Sequence, residues 1–169
     1  MIRTAVTSDL AQIMEIVESS KLDMHSYGNF QWNEGYPLEE DFIKDITEGT
    51  LYVYDIKGII AGLICINRDE AEEYKSVNWS MTKEAFIIHR LAVNNNFRGQ
   101  GVGYKLINHA NAICIENNIS YLKTDTNSLN IKAQGLLKKC GYTFVGKTSL
   151  SGHEGVFYCY DKVLRNMIP

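Results

Sequence analysis

Between His89 and Gly103 the chain reads His-Arg-Leu-Ala-Val-Asn-Asn-Asn-Phe-Arg-Gly-Gln-Gly-Val-Gly. An apolar run enters a polar turn and leaves it as a helix whose first turn is expected to hold Gly99, Gly101 and Gly103. Glycine lets a ligand approach the backbone closely, and the unpaired N–H groups of a helix start attract anions such as phosphate. The helix dipole adds ~0.3–1 kcal/mol at an exposed site. Spacing excludes two common phosphate loops. A G-x-G-x-x-G fingerprint needs glycine at position 104, and so does G-x-x-x-x-G-K-[ST] started from Gly99, but Tyr104 stands there. Tight packing of the helix on a sheet is the other reading. Three glycines in five residues cost a helix roughly 1 kcal/mol each, however, which points to a ligand. His89, just upstream, has the ordinary pKa of ~6.5 that suits a base, or it is a satisfied half-buried histidine. His25, His109 and His153 stand in no motif and are expected at the surface.

The elements that must position these residues follow from periodicity. Ile2 to Val6 reads as a strand. Thr7 or Ser8 can cap a helix with Leu10, Ile13, Met14 and Val17 on one face, a pattern that fades over Lys21 to Ser26. Tyr27 to Pro37, with two glycines and four aromatics, reads as a loop, and a short helix over Glu39 to Glu48 stops at Gly49. Leu51 to Ile56 and Ile59 to Asn67 are strands joined by a Lys57-Gly58 hairpin turn. The polar stretch Arg68 to Lys83 reads as a long exposed loop, and Ala85 to Val93 as a strand buried on both faces. Helices over Gly101 to Asn117 and Ser128 to Cys140 then alternate with strands over Ser120 to Thr126 and Tyr142 to Thr148, and Val156 to Lys162 closes the sheet. The order β-α-α-β-β-β-α-β-α-β-β is that of an α/β fold, a mixed, mostly antiparallel sheet with flanking helices and a central β-α-β unit.

Composition bounds the rest. A length of 169 residues fits a single domain over 1–169, and 45% apolar with 22% charged residues is ordinary for a globular chain. Seventeen Lys and Arg against twenty Asp and Glu leave a net charge of −3, which argues against nucleic acid as a partner. No apolar run approaches the ~20 residues of a membrane span, and the first residues lack a secretory layout, so a cytoplasmic protein is expected. Cys65, Cys114, Cys140 and Cys159 lie far apart, which predicts buried thiols rather than disulfides or a metal site.

Arg98-Gly99-Gln100-Gly101-Val102-Gly103 matches R/Q-x-x-G-x-G/A, and in this the chain resembles the GNAT superfamily of acyl-CoA-dependent N-acyltransferases. The preceding Leu91-Ala92-Val93, the later Asn130-x-x-Ala133-x-x-Leu136 and the Lys139-Cys140-Gly141-Tyr142 run sit at the family's spacing, so the resemblance covers nearly the whole chain. It implies acetyl-CoA as co-substrate, with no metal. The backbone from Arg98 to Gly103 would cradle the pyrophosphate, and Leu91, Ala92 and Val93 would pair with the pantetheine arm. The Val93 amide would face the thioester oxygen, and Asn130 would line the far wall. Lys138 or Lys139 would reach a phosphate, or both are solvated. Asp125 falls where some members carry a glutamate base, or it caps the following turn. The family's usual acid, a tyrosine seven residues after the asparagine, is here Leu137, while Tyr142 matches the aromatic that packs the sheet.

The implied reaction is acetyl transfer from acetyl-CoA to a primary amine of a small molecule or peptide by direct attack in a ternary complex. A lysine-like amine with a pKa of ~10.4 costs about 4.6 kcal/mol to deprotonate at pH 7, which calls for a base such as Asp125 or His89. In the loop expected to cover the acceptor, Gln31, Trp32, Glu34 and Tyr36 would hold a cationic amine, or the aromatics only pin the loop to the sheet. The Arg68 to Lys83 stretch reads as a second wall or a homodimer contact. The competing class, raised by Leu137, is a CoA-binding module without transferase activity.

Overall fold

The runs Ile59–Asn67 and Phe86–Val93 are too apolar to leave a face in water, and the computed structural model, which describes residues 1–165, puts both at the centre of one sheet. In chain order the elements are β1 (Ile2–Thr4), α1 (Leu10–His25), α2 (Glu39–Thr47), β2 (Leu51–Ile56), β3 (Ile59–Asn67), β4 (Phe86–Val93), α3 (Val102–Glu116), β5 (Tyr121–Asn127), α4 (Ile131–Lys139), β6 (Thr143–Thr148) and β7 (Phe157–Val163). The seven strands lie in the order β1-β2-β3-β4-β5-β7-β6, antiparallel except for the β4–β5 pair that flanks α3. The α/β class and the mixed, mostly antiparallel sheet are therefore as the sequence predicts.

Each face of the sheet has its own core. α3 and α4 cover one face through Leu106, Ile107, Ala110 and Leu137 against Ile64, Ile88 and Leu122. α1 and α2 cover the other through Ile13, Val17 and Phe42 against Leu51, Val53, Leu63 and Cys65, joined by Trp32 from the loop between the two helices. All four cysteines are buried free thiols, as expected, and burial pushes those of Cys65, Cys114 and Cys159 up to about 12. Among the described residues no helix is long and apolar enough to cross a membrane.

Several boundaries differ from the sequence reading for local reasons. β1 ends at Thr4, and Thr7–Asp9 form a 3₁₀ turn in which neither Thr7 nor Ser8 caps the helix. Instead the Asp9 carboxylate accepts from the Val6 N–H at 2.9 Å and from Arg3 at 2.7 Å. α1 continues to His25 because Lys21 and Met24 remain buried where the apolar period weakens. The stretch Arg68 to Lys83 is not simply exposed: a 3₁₀ turn at Glu72–Ser76 buries Tyr74, whose ring packs on Trp79 at 4.7 Å. Among the histidines expected at the surface, His25 bonds the Trp32 carbonyl at 2.8 Å, His109 packs on Tyr52 at 4.9 Å, and all three are half-buried.

β4 is buried on both faces only as far as Ile88. Its parallel pairing with β5 covers Phe86↔Leu122, Ile87↔Lys123 and Ile88↔Thr124. Beyond this the two strands separate, while β3 holds β4 through Cys65↔His89 and then Leu63↔Ala92. Arg90 and Leu91 thus face the single residue Ile64, a bulge, and Arg90 takes the left-handed φ of 42°. Gly62 makes the close approach on the β3 side. A Cβ there would lie 2.8 Å from the Ala92 carbonyl oxygen and 2.9 Å from both Leu106 and Val102 side chains. Gly62→Ala should therefore cost about 1–3 kcal/mol through overpacking, read as a lower urea midpoint with an unchanged slope.

Candidate active site

The separation of β4 from β5 opens the sheet, and two cavities meet at the opening. One is a groove of about 530 Å³ running along Leu91, Ala92 and Val93, past Phe97–Gly99 and Gly101–Gly103, to Leu136 and Lys139 on α4. The other, about 320 Å³, lies on the side of the loop between α1 and α2 and of the β6–β7 connection. Leu91, Asn130 and Ala133 line both.

The groove has the polarity that the glycine run implied, with a change of detail. α3 starts at Val102, so Gly99 and Gly101 precede it rather than belonging to its first turn. Both have φ of 76°, and a Cβ at either would meet nothing within 4 Å. They are glycine for conformation and leave bare backbone facing open space. Gly103, inside the helix, is glycine for contact: its Cβ would lie 2.8 Å from Leu136 Cδ2, so α3 and α4 pack closely there. The first helical bond runs from the Lys105 N–H to the Gly101 carbonyl, which leaves the N–H groups of Val102, Gly103 and Tyr104 without intrahelical partners. Gln100 turns away and donates to the Asn96 carbonyl at 3.1 Å. Arg98 and Lys132 flank the groove, and one carboxylate, Asp23 of α1, sits 3.1 Å from the former and 3.2 Å from the latter.

At the opening, the Asn94 N–H donates to the Ala61 carbonyl at 2.9 Å, on the β3 side. Strand alternation then turns the N–H and carbonyl of Val93, which faces Gly62, toward the open edge. Asn130 accepts from the Ala133 N–H at 3.1 Å as the cap of α4, and its amide lies 3.4 Å from Gln31 Oε1. Gln31 Oε1 also accepts from the Asn127 N–H at 3.2 Å, which ties the α1–α2 loop to the end of β5.

Asp125 lines the smaller cavity and does not cap the turn after β5; the Asn127 side chain does, accepting from the Leu129 N–H at 2.9 Å. The Tyr74 hydroxyl donates to Asp125 Oδ2 at 2.6 Å. Burial pushes the Asp125 carboxyl above its ordinary range, opposed by the Tyr74 hydrogen bond and by His153. His89 lines the same cavity, but its Nε2 bonds Asn67 Oδ1 at 2.9 Å, and burial beside the Arg90 guanidinium pushes it down to about 4. The Arg90 guanidinium is clamped by Asp45 of α2 at 2.7 and 2.8 Å and donates to the Tyr36 hydroxyl at 2.9 Å. Of the expected acceptor residues, Gln31, Trp32 and Tyr36 line this cavity, whereas Glu34 is exposed and outside it. Glu34 follows the Asn33 turn, whose side chain takes the Gly35 N–H at 2.8 Å and carries the loop tip into solvent. Leu137 is buried in the cavity wall, and Tyr142 is buried in the core under α3.

Sequence reasoning missed Tyr74, Arg90, His153 and Asp23. His153 stacks edge-on to Tyr36 at 5.0 Å, and its Nδ1 is buried without a partner. A tyrosine directly after an acidic pair in a polar stretch carries no periodic signal. An arginine inside an apolar strand does, and Arg90 in Phe86–Val93 was such a signal.

A family model for the acetyltransferase (GNAT) family matches residues 11–142. A search of curated proteins finds no match. Among solved structures, a protein of Staphylococcus aureus Mu50 assigned as an acetyltransferase is 34% identical, with a TM-score of 0.77 over 97% of this chain and 99% of its own. A GNAT-family acetyltransferase of Streptococcus agalactiae 2603 is 27% identical, with a TM-score of 0.84 over 96% of this chain and 94% of its own. The fold is also that of yncA of Salmonella typhimurium, assigned as an acetyltransferase and solved with its cofactor acetyl-CoA, at 15% identity and a TM-score of 0.70 over 97% of this chain and 93% of its own. With its open sheet, bare glycine backbone and matching family model, the chain belongs to the GNAT acetyltransferase family.

Proposed function

We propose that this chain transfers an acetyl group from acetyl-CoA to a primary amine, with the two substrates meeting where the groove joins the smaller cavity. The observation that carries this reading is the Asp125–Tyr74 pair, a carboxylate held in the wall of a cavity that opens onto a phosphate-type groove. Acetyl-CoA supplies an activated thioester carbonyl. The groove residues fit it: left-handed Gly99 and Gly101 and the free N–H groups of Val102, Gly103 and Tyr104 suit a pyrophosphate, and the open edge of Leu91, Ala92 and Val93 suits an extended arm. The Val93 N–H is the donor for developing negative charge on the carbonyl oxygen.

In this reading Asp125 is the base. It takes a proton from the incoming ammonium and passes it to solvent; the neutral amine attacks the thioester carbonyl, the C–S bond breaks, and CoA leaves as a thiolate that takes up the proton shed by the new amide nitrogen. Two shifts narrow the gap between acid and base. Burial raises the Asp125 carboxyl, and the same desolvation disfavours the ammonium. His89, pushed down to about 4 and with Nε2 already bonded, is the weaker candidate. The CoA-binding module without catalysis lacks a comparable observation, since Asp125 has no capping role to explain its place.

Three experiments test this reading. Asp125→Asn should lower kcat by roughly 10²–10⁴ with acetyl-CoA affinity retained, and the deficit should shrink as pH rises and the amine deprotonates unaided. Wild-type kcat in that variant would remove Asp125 from the mechanism. Tyr74→Phe removes a hydrogen bond that favours the ionised carboxylate, so the Asp125 pKa should rise further. The acid limb of the kcat/KM profile, where activity falls as Asp125 protonates, should then move to higher pH. An unmoved limb would show that another group controls it. For the groove, Gly101→Glu places a carboxylate beside the pyrophosphate site and also strains a left-handed position, whereas Gly101→Ala adds only the strain. Calorimetry should show acetyl-CoA binding abolished in the first and at most weakened in the second; equal retention would overturn the cradle.

A further inference from the structure

Two connections meet over one rim of the smaller cavity. Glu73, from the β3–β4 connection, accepts from both the Ser151 N–H at 2.8 Å and the Ser151 hydroxyl at 2.6 Å, and Ser151 belongs to the β6–β7 connection. Both residues line the cavity and neither lines the groove, so the clasp bounds the cavity where the groove does not. An extended peptide leaving the cavity on that side would have to break it.

The charges inside are unequal. Among the described residues that line the cavity, Asp125 and Glu73 are the carboxylates and Arg90 is the Lys or Arg cation. Arg90 is already matched. Asp45, buried behind it, accepts from Nε and Nη2 in a two-point clamp that balances its charge, and Nη1 gives one of its two N–H groups to the Tyr36 hydroxyl. A carboxylate next to the acceptor amine would therefore enter beside two others and meet an Arg90 charge already balanced by Asp45. An ammonium group fares differently. It meets Asp125 in a wall that also carries Trp32, Tyr36, Tyr74 and His153, whose Nδ1 is buried without a partner. His89, held near 4 by burial and Arg90, adds no positive charge at neutral pH.

Resting on the acetyl-transfer reading above, we propose that the acceptor is a compact primary amine without a carboxylate, an aralkylamine or a short diamine, bound as its ammonium against Asp125. The clasp sets its size, and the Asp45–Arg90 pair removes the cation that an amino acid would need.

Matched pairs differing only in the carboxylate give the test. Calorimetry with acetyl-CoA comes first, and thiol release is then followed with 2-phenylethylamine against L-phenylalanine, 1,4-diaminobutane against L-ornithine, and a tetrapeptide with a free N-terminus. In each pair the carboxylate-free member should have a kcat/KM at least about tenfold higher, and the tetrapeptide should be a poorer substrate than either amine. Preference for the amino acids or the peptide would overturn the proposal while leaving acetyl transfer intact. Binding of acetyl-CoA without turnover of either amine would overturn it too. Absence of acetyl-CoA binding would instead overturn the acetyl-transfer reading and the proposal with it. Asp45→Asn frees the Arg90 charge and should narrow the gap within each pair; an unchanged gap in the folded variant would remove Asp45 from specificity.

Discussion

β4 cannot pair with β3 and β5 along its whole length, because the bulge at Arg90 turns its second half away from β5. A left-handed, non-glycine residue in the middle of a strand costs of order 1–3 kcal/mol and persists only where its surroundings hold it. Here the holder is Asp45, which clamps the Arg90 guanidinium in a buried ion pair reaching from α2 to the sheet centre. Removing one partner of such a pair costs about 3–5 kcal/mol, more than the strain that it opposes. The helices on one face thus hold open the strands whose gap leads to the other. The start of α3, the cap of α4 and the α1–α2 loop all take their places around that gap.

The joint between the two cavities is equally specific. Gln31 alone accepts from the end of β5 and from the Asn130 amide, so the loop over the acceptor side is tied to the cap of the helix that walls the groove. Asp125 sits on β5 two residues before the first of these contacts, at a place in the cavity wall where burial raises its carboxyl above the ordinary range. A carboxylate in such a wall is unfavourable unless something meets its charge, and Tyr74 supplies a single hydrogen bond. Asp125 is therefore a partly compensated carboxylate, its pKa raised by burial and only partly lowered by Tyr74, which suits the base role proposed for it.

What was legible in the sequence follows from how local each constraint is. Gly99, Gly101 and Gly103 announce themselves because φ and close contact act on a single residue, though only the structure separates the two conformational glycines from the packing one. The burial of β4 on both faces is legible in its apolar run, and holds as far as Ile88. Tyr74 was hidden because its burial depends on a 3₁₀ turn folding back across β5 from a stretch that is otherwise polar. Glu34 and His153 exchanged expected places for the same kind of reason. A loop tip directed by Asn33 carries Glu34 outward, and a connection some 120 residues later carries His153 inward to Tyr36. Neither has a periodic signature.

Leu137, where the family's tyrosine acid usually stands, fits the same balance of proton costs. A thiol with a pKa of ~8.5 leaves as thiolate at pH 7 at a cost of only about 2 kcal/mol, whereas freeing a lysine-like amine costs about 4.6 kcal/mol. The larger of the two demands falls on the acceptor side, and that is where the structure concentrates its polar machinery, with Asp125, Tyr74 and His153 around one cavity. On the α4 side Leu137 is buried and apolar in the cavity wall. In the proposed reaction an apolar wall disfavours both ions, so desolvation favours proton transfer from the ammonium to the Asp125 carboxylate. In that reaction an apolar residue in place of an acid gives up help with the cheaper proton transfer and favours the costlier one.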